Sequence, residues 1–225
     1  MPVTIETGPA DPPSAEEIAR WRSVPVAVAV DLGWSLGQID PAIRPLLPPG
    51  RQPRLFGRAV TALCEPPDFG AVLHALDVIG PGDVLVIAAG GHAETAMIGE
   101  IVGGHLRRRG GVGLICDGAV RDVGMLAGWA DLPVFTRFVT PRGPASAERG
   151  AVNAPVVIGG ARVNPGDLLI GDDDGLVVLP PAAIRERIGA AEAKLAREAE
   201  WEASLAAGRS MQETFGLAAP RPAGG

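Results

Sequence analysis

Apolar residues recur along this chain in two rhythms. Residues 55–64 (LFGRAVTALC), 84–88 (VLVIA), 112–116 (VGLIC), 134–139 and 154–158 are short, rich in Val, Leu and Ile, and bounded by turn residues. They predict strands, with 84–88 and 112–116 buried on both faces. Residues 24–30 (VPVAVAV) are too short and too β-branched for a helix and predict another strand. Helical spacing appears between these runs. Phe69, Val72, Leu73, Leu76 and Ile79 predict a helix over 68–79, and residues 95–109 predict one that Gly110-Gly111 stops. Ser14, with Glu17 three residues later, caps a short predicted helix over 15–21. Residues 182–207 turn to Ala, Glu, Lys and Arg and predict one long C-terminal helix. Its apolar stripe (Ile184, Ile188, Leu195, Leu205) is thin, which suits packing over the domain or onto a neighbouring subunit.

Turn signals punctuate the pattern. PGDVLVI at 81–87 recurs as PGDLLI at 165–170. A shared turn-into-strand device explains the echo better than a duplicated domain, because Pro presets the first turn dihedral and Gly supplies the second. The second copy leads into GDDDGLVVLP at 171–180, a predicted hairpin with an acidic turn. Residues 31–49 carry four prolines and predict a surface loop with one short helical turn. No shift in composition marks a linker. The expectation is one domain over 1–216, with its core at 24–180 and a disordered tail over 217–225, in a mixed α/β layered fold.

Composition narrows the possibilities. Hydrophobic residues make up 47% and aromatics 4%, without a tyrosine, so the core is aliphatic. A net charge of −6 and the lack of an extended basic face disfavour nucleic acid as a partner. The one dense basic run, Arg107-Arg108-Arg109, falls near a helix end, where cations suit the dipole. Cys64 and Cys116 are far apart and lack metal or redox spacing, which fits a reduced, cytoplasmic protein. The N-terminal residues are polar and acidic, unlike a signal peptide, and no apolar run reaches the ~18 residues of a membrane span.

Candidate chemistry concentrates in residues 90–122 (GGHAETAMIGEIVGGHLRRRGGVGLICDGAVRD). If the helix starts near Thr95, residues 99–102 lie inside it. If the glycines delay its start, they form its first turn, and their free N–H groups offer an anion site. Asp117-Gly118-Ala119-Val120-Arg121-Asp122 follows a predicted strand, where α/β proteins gather ligands. Arg121 beside Asp122 in an exposed turn reads either as a solvated charge pair or as part of a hard-cation site. In the second case Asp122 ligates directly, Glu100 holds a metal-bound water and Arg121 polarises the substrate. Asp172-Asp173-Asp174 lacks the spacing of a calcium loop and reads as a charged turn. His74, His92 and His105 form no ligand pattern. GxSxG, GxGxxG and a Walker lysine loop are missing, which leaves covalent serine chemistry and nucleotide binding without support.

With Glu100, twenty intervening residues and then Arg121-Asp122, set among DGAVRD and PGDVLVI, the chain resembles a known family. That family joins 4-hydroxy-4-methyl-2-oxoglutarate aldolase, 4-carboxy-4-hydroxy-2-oxoadipate aldolase and the regulator of ribonuclease E activity A. The resemblance runs from about Val24 to Pro180. It implies a layered β/β/α swivelling-type domain with a long C-terminal helix, assembled as trimers or hexamers with sites at subunit interfaces. It implies Asp122 as the direct ligand of Mg²⁺ or Mn²⁺. Glu100 stands at the position that holds metal-bound water, where the aldolases usually carry Asp. Gly99, Glu100, Ile101 and Val102 match the substrate-binding turn, whose Ile101 and Val102 amides hold a pyruvoyl carboxylate. Arg121 matches the residue that binds the keto oxygen. Glu198 resembles a helix carboxylate that reaches a neighbouring subunit's metal site, with Glu192 and Glu200 as nearby alternatives.

The expected activity is therefore a divalent-metal-dependent lyase that cleaves a 4-hydroxy-2-oxo diacid to pyruvate through an enolate, and oxaloacetate decarboxylation uses the same enolate. A keto acid is the expected partner. No lysine is placed for a Schiff base. The alternative implied by the same resemblance is a non-enzymatic regulator that binds a ribonuclease or helicase. A methyltransferase would need a glycine-rich adenosylmethionine loop after the first strand, which the sequence lacks.

Overall fold

Alternate side chains of the central strands enter two different cores, and that alternation builds the layers. The computed structural model describes residues 2–7, 12–33 and 36–220. In chain order the strands are β1 (Thr4–Ile5), β2 (Arg44–Pro45), β3 (Leu55–Leu63), β4 (Asp83–Ala88), β5 (Ala96–Ile98), β6 (Gly113–Val120), β7 (Val134–Val139), β8 (Ala151–Val152), β9 (Val156–Ile158), β10 (Ala161–Val163), β11 (Leu168–Asp172) and β12 (Gly175–Leu179). The helices are α1 (Ala15–Arg20), α2 (Val26–Gly33), α3 (Gly70–Val78), α4 (Glu100–Arg108), α5 (Val123–Ala127), α6 (Pro181–Ala206) and α7 (Met211–Phe215).

Strands β3, β4, β6 and β7 lie side by side and parallel. On β4, Leu85 and Ile87 pack with α3, α4 and α5 through Val72, Leu76, Leu106 and Leu126. Val84 and Val86 point the other way, against Val156, Ile158 and Val163 of the β9–β10 hairpin and Leu169 of β11. The β11–β12 hairpin repeats the device. Leu169, Leu176 and Val178 face the central sheet, while Leu168, Ile170, Val177 and Leu179 face α2 and α6. A period of two thus makes helices, sheet, a second β layer and helices again. The layered α/β expectation holds, including the long C-terminal helix.

The two PGD turns are the same object. Gly82 and Gly166 have φ of 85° and 84°. The Asp83 and Asp167 N–H groups close onto the carbonyls of Gly80 and Asn164 at 3.2 and 3.1 Å. Each Asp carboxylate then accepts the N–H of the residue three before it, at 3.0 and 2.8 Å. One turn chemistry, used twice, accounts for the echo.

Three local expectations fail. Residues 24–30 are not a strand, since α2 covers most of them. Pro25 has no N–H for a ladder, and its carbonyl accepts Ala29 N–H at 3.1 Å. Val26, Val28 and Ala29 bury against β11, β12 and α6, and Val26 N–H donates to Asp172 Oδ2 at 2.9 Å. Burial overrides β-propensity here. The helix expected over 95–109 begins at Glu100, because residues 96–98 pair with β6 as strand β5. The strand expected over 112–116 continues to Val120, with residues 113–120 all buried. Asp117 and Gly118 therefore sit in a strand and not in an exposed turn. The expected tail lies partly outside the described residues, and 217–220 carry no regular structure.

Trp21 locks α6 to this frame: it is fully buried, and its indole Nε1 donates to Ile184 O at 3.1 Å. Asp68, also fully buried, locks the loop of residues 140–150. Its carboxylate accepts N–H groups from Gly70, Glu148 and Arg149 at 2.8 to 3.2 Å, and the Ser146 hydroxyl. Burial pushes its pKa up, but the hydroxyl and amide donors outweigh burial and hold it well below the ordinary 3.8. A carboxylate depressed by folding stabilises the fold above its unfolded pKa and loses that contribution as pH falls toward the folded value. Asp68→Asn should cost roughly 1–3 kcal/mol near neutrality. It should also flatten the loss of stability below about pH 4. Urea denaturation of both proteins across that range checks this, and parallel pH profiles would contradict it.

Candidate active site

Strand β6 and helix α4 meet at one carboxylate. Beyond Val120, Arg121 N–H donates to Ile98 O at 3.0 Å, which keeps the chain beside β5. Asp122 then turns into the left-handed region (φ 55°, ψ 38°), uncommon for residues other than Gly but one that Asp and Asn enter more readily than most. That turn aims its carboxylate at the start of α4, where Oδ2 accepts Glu100 N–H at 3.0 Å. Gly99, the residue before the helix, makes the approach possible: a Cβ there would lie 2.4 Å from Asp122 Oδ2 and 2.8 Å from Arg121 Cγ. Ile101 and Val102 follow in the first turn, where a helix provides no intrahelical acceptor for its N–H groups. The delayed-start alternative for residues 99–102 is the one observed, so the anion-site geometry exists.

Arg121 Nε lies 3.7 Å from Asp122 Oδ2, with both side chains about two-fifths exposed (41% and 42%). Its guanidinium is approached by the loop that Asp68 anchors: a Cβ at Gly143 would lie 2.6 Å from Arg121 Nη1. Ala96 N–H also bonds Arg142 O in that loop, at 2.8 Å. Among the described residues both contacts to the Asp122 carboxylate fall on Oδ2, and Oδ1 makes none. Glu100 is exposed beside it and lines an open cavity of about 490 Å³ along the flank of α4. No group of three or more His, Cys, Asp or Glu side chains converges among the described residues, so this chain builds no closed metal cage. The Asp122 and Glu100 side chains are both partly or fully exposed to water, and Mg²⁺ characteristically takes only one or two carboxylates and keeps several waters.

The other sequence candidates scatter. Glu198 lies on α6 and pairs with Lys194 Nζ at 2.8 Å, which also reaches Asp31 at 3.1 Å. Helix α6 packs chiefly on α2, α7, α1 and β12, so Glu198 does not join Asp122 within one chain. Asp172 and Asp173 accept the backbone N–H groups of Val26, Asp174 and Gly50, which makes the acidic run a capped hairpin turn as expected. Asp117 is buried and binds Arg137 Nε at 2.7 Å, with Arg137 Nη1 on Asp40 at 2.9 Å. Asp117 also takes Gly159 N–H at 3.0 Å. This buttress under the site was missed, since nothing local links residues 40, 117, 137 and 159. Cys64 and Cys116 are buried, and burial pushes the Cys64 thiol up to about 12, so neither is a nucleophile. His92 Nε2 accepts Thr95 N–H at 3.1 Å and shapes the loop before β5.

Residues 27–178 match the RraA-like family profile, described as Aldolase/RraA. A protein of Halalkalibacterium halodurans named "Putative 4-hydroxy-4-methyl-2-oxoglutarate aldolase" is 33% identical over 163 residues, which are 72% of this chain and 76% of that one. The crystal structure of Streptomyces coelicolor RraAS2, titled an unusual member of the RNase ES inhibitor RraA protein family, superposes with a TM-score of 0.72. It is 29% identical and covers 83% of this chain and 96% of its own. An uncharacterized protein from Pseudomonas syringae shares the fold at a TM-score of 0.79 and 23% identity, covering 91% and 99% of the two chains. No helix of the described residues is long and apolar enough to cross a membrane. With the profile matching most of its length and the β6–α4 junction carrying the motif, the chain belongs to the Aldolase/RraA family.

Proposed function

We propose that this protein is a divalent-metal-dependent carbon–carbon lyase that cleaves a 4-hydroxy-2-oxo diacid to pyruvate, with oxaloacetate decarboxylation at the same site. The observation that carries the reading is the Asp122 carboxylate held against the first turn of α4 with Arg121 beside it. Both reactions leave an electron pair on C3 of pyruvate, delocalised onto the keto oxygen as an enolate. Asp122 would hold Mg²⁺ or Mn²⁺ directly and Glu100 through water, and the cation would supply positive charge to the oxygen that gains it. Ile101 and Val102 N–H groups fix the substrate carboxylate at the helix start, where the dipole also favours an anion. Arg121 holds the keto oxygen and balances the developing enolate charge. In a trimer or hexamer, Glu198 of a second copy could add a further carboxylate to the water shell.

The resemblance to RraAS2 supports a second reading, a regulator that binds a ribonuclease or helicase. Capture of such a partner by a protein that releases no pyruvate would favour it over the lyase.

Purified protein with Mg²⁺ should release pyruvate from 4-hydroxy-2-oxo diacids, read by a coupled assay, and EDTA should stop it. Asp122→Asn keeps an oxygen to accept Glu100 N–H but removes the charge. Its turnover should fall roughly a hundredfold or more, with a thermal midpoint near wild type. Full activity in EDTA or in the Asn variant would contradict the proposal. Gly99→Ala should push the Asp122 carboxylate aside and lower kcat roughly tenfold to a hundredfold. An unchanged kcat in that variant would mean that the Gly99–Asp122 approach is dispensable.

A further inference from the structure

The cavity along α4 is lined by Glu100 and also by Arg108, a cation that makes no ion pair among the described residues. Gly104, Arg107, Trp129 and Asp131 complete most of its lining. Glu100, Gly104 and Arg108 share one face of α4, since positions four apart stack along the axis. The arginine run at the end of α4 divides its labour. Arg107 binds Asp131 through Nε and Nη2, at 2.9 Å each, and lies over the Trp129 ring at 4.8 Å. Arg109 donates to the carbonyls of Asp77 and Ile79 at 2.9 and 3.3 Å. Arg108 takes part in no ion pair among the described residues. Its side chain leans back along the helix, as helical side chains do: a Cβ on Gly104 would lie 3.5 Å from Arg108 Nη1 and 3.8 Å from Trp129 Cη2. The guanidinium therefore stands over Gly104, which lies about 3 to 4.5 Å further along the axis than Val102 and Ile101.

We propose that this cavity receives the distal carboxylate of a keto diacid, with Arg108 as the specificity-determining residue that binds it. The inference rests on the enolate-site reading, which fixes the other carboxylate at Ile101 and Val102. A five-carbon keto diacid separates its carboxyl carbons by about 5 Å, four C–C bonds of ~1.52 Å at tetrahedral angles. A chain of that length anchored at Ile101 and Val102 is long enough to cover the rise to Gly104, over which the guanidinium stands. Asp131 is paired with Arg107, while Arg108 makes no ion pair among the described residues and is left to meet an incoming carboxylate. Gly104 keeps this space clear, because a side chain there would meet both the guanidinium and the indole.

The test uses two unreactive keto acids of equal length, 2-oxoglutarate and 2-oxopentanoate, titrated calorimetrically with Mg²⁺ present. Wild type should bind the diacid roughly tenfold or more tightly than the monoacid. Arg108→Ala should bring the ratio of dissociation constants close to one, and Arg108→Lys should restore part of it. Pyruvate is titrated alongside. If pyruvate binds and Arg108→Ala keeps the wild-type ratio, or wild type shows no preference, the assignment of Arg108 is overturned while the enolate site stands. If pyruvate itself does not bind, the enolate-site reading fails and this inference fails with it.

Discussion

The hydrogen bond from Glu100 N–H to Asp122 Oδ2 ties the end of a buried strand to the start of a helix, and the rest of the site is arranged around it. It is charge-assisted, so it is stronger than a neutral bond, and it uses a donor that α4 cannot satisfy internally. It also fixes the direction of the carboxylate. With Oδ2 engaged, Oδ1 makes no contact among the described residues, and the arginine stands beside the carboxylate. A left-handed backbone at a non-glycine residue costs of order 1–3 kcal/mol and persists where the surroundings hold it. Here the bond to Glu100, the Arg121 contact and the pairing of β5 with β6 hold Asp122 in place.

The layers make that junction rigid. Strand β6 is buried along its whole length between two aliphatic cores, so Arg121 and Asp122 emerge from a fixed base. On one side the Asp117–Arg137–Asp40 chain braces the middle of the strand. On the other, Asp68 gathers backbone donors from the loop that passes the Arg121 guanidinium. A carboxylate satisfied by several donors can be buried while charged, and a loop pinned this way carries its order to the site. Together these contacts explain how a chain with so few aromatics positions a polar site.

Much of this was legible in the sequence where the signal was local. The strands at 55–63, 83–88 and 134–139 and the hairpin of β11 and β12 follow from apolar runs and turn residues. The same holds for α3, α6 and the capping box at Ser14. Failures came where distant partners decide. Residues 24–30 read as a strand because Val is β-branched, but Asp172 caps them and α6 covers them as a helix. Residues 96–98 read as helix because their pairing with β6 has no local signature. In the site, Glu100, Arg121 and Asp122 were found from their spacing, and the left-handed turn that joins them was not. The role of Asp68 has no local signature, since its donors at 146, 148 and 149 lie far along the chain.

The central claim is that Asp122, in the geometry set by Glu100 N–H, holds the cation at which a pyruvate enolate forms. Enolate formation can be read without any cleavage substrate, by following exchange of the pyruvate methyl protons for deuterium by NMR in heavy water. The account predicts exchange above the protein-free rate with Mg²⁺, falling to that rate on adding EDTA or in Asp122→Asn. Exchange that is absent in the metal-loaded wild type, or that survives in Asp122→Asn, would contradict it.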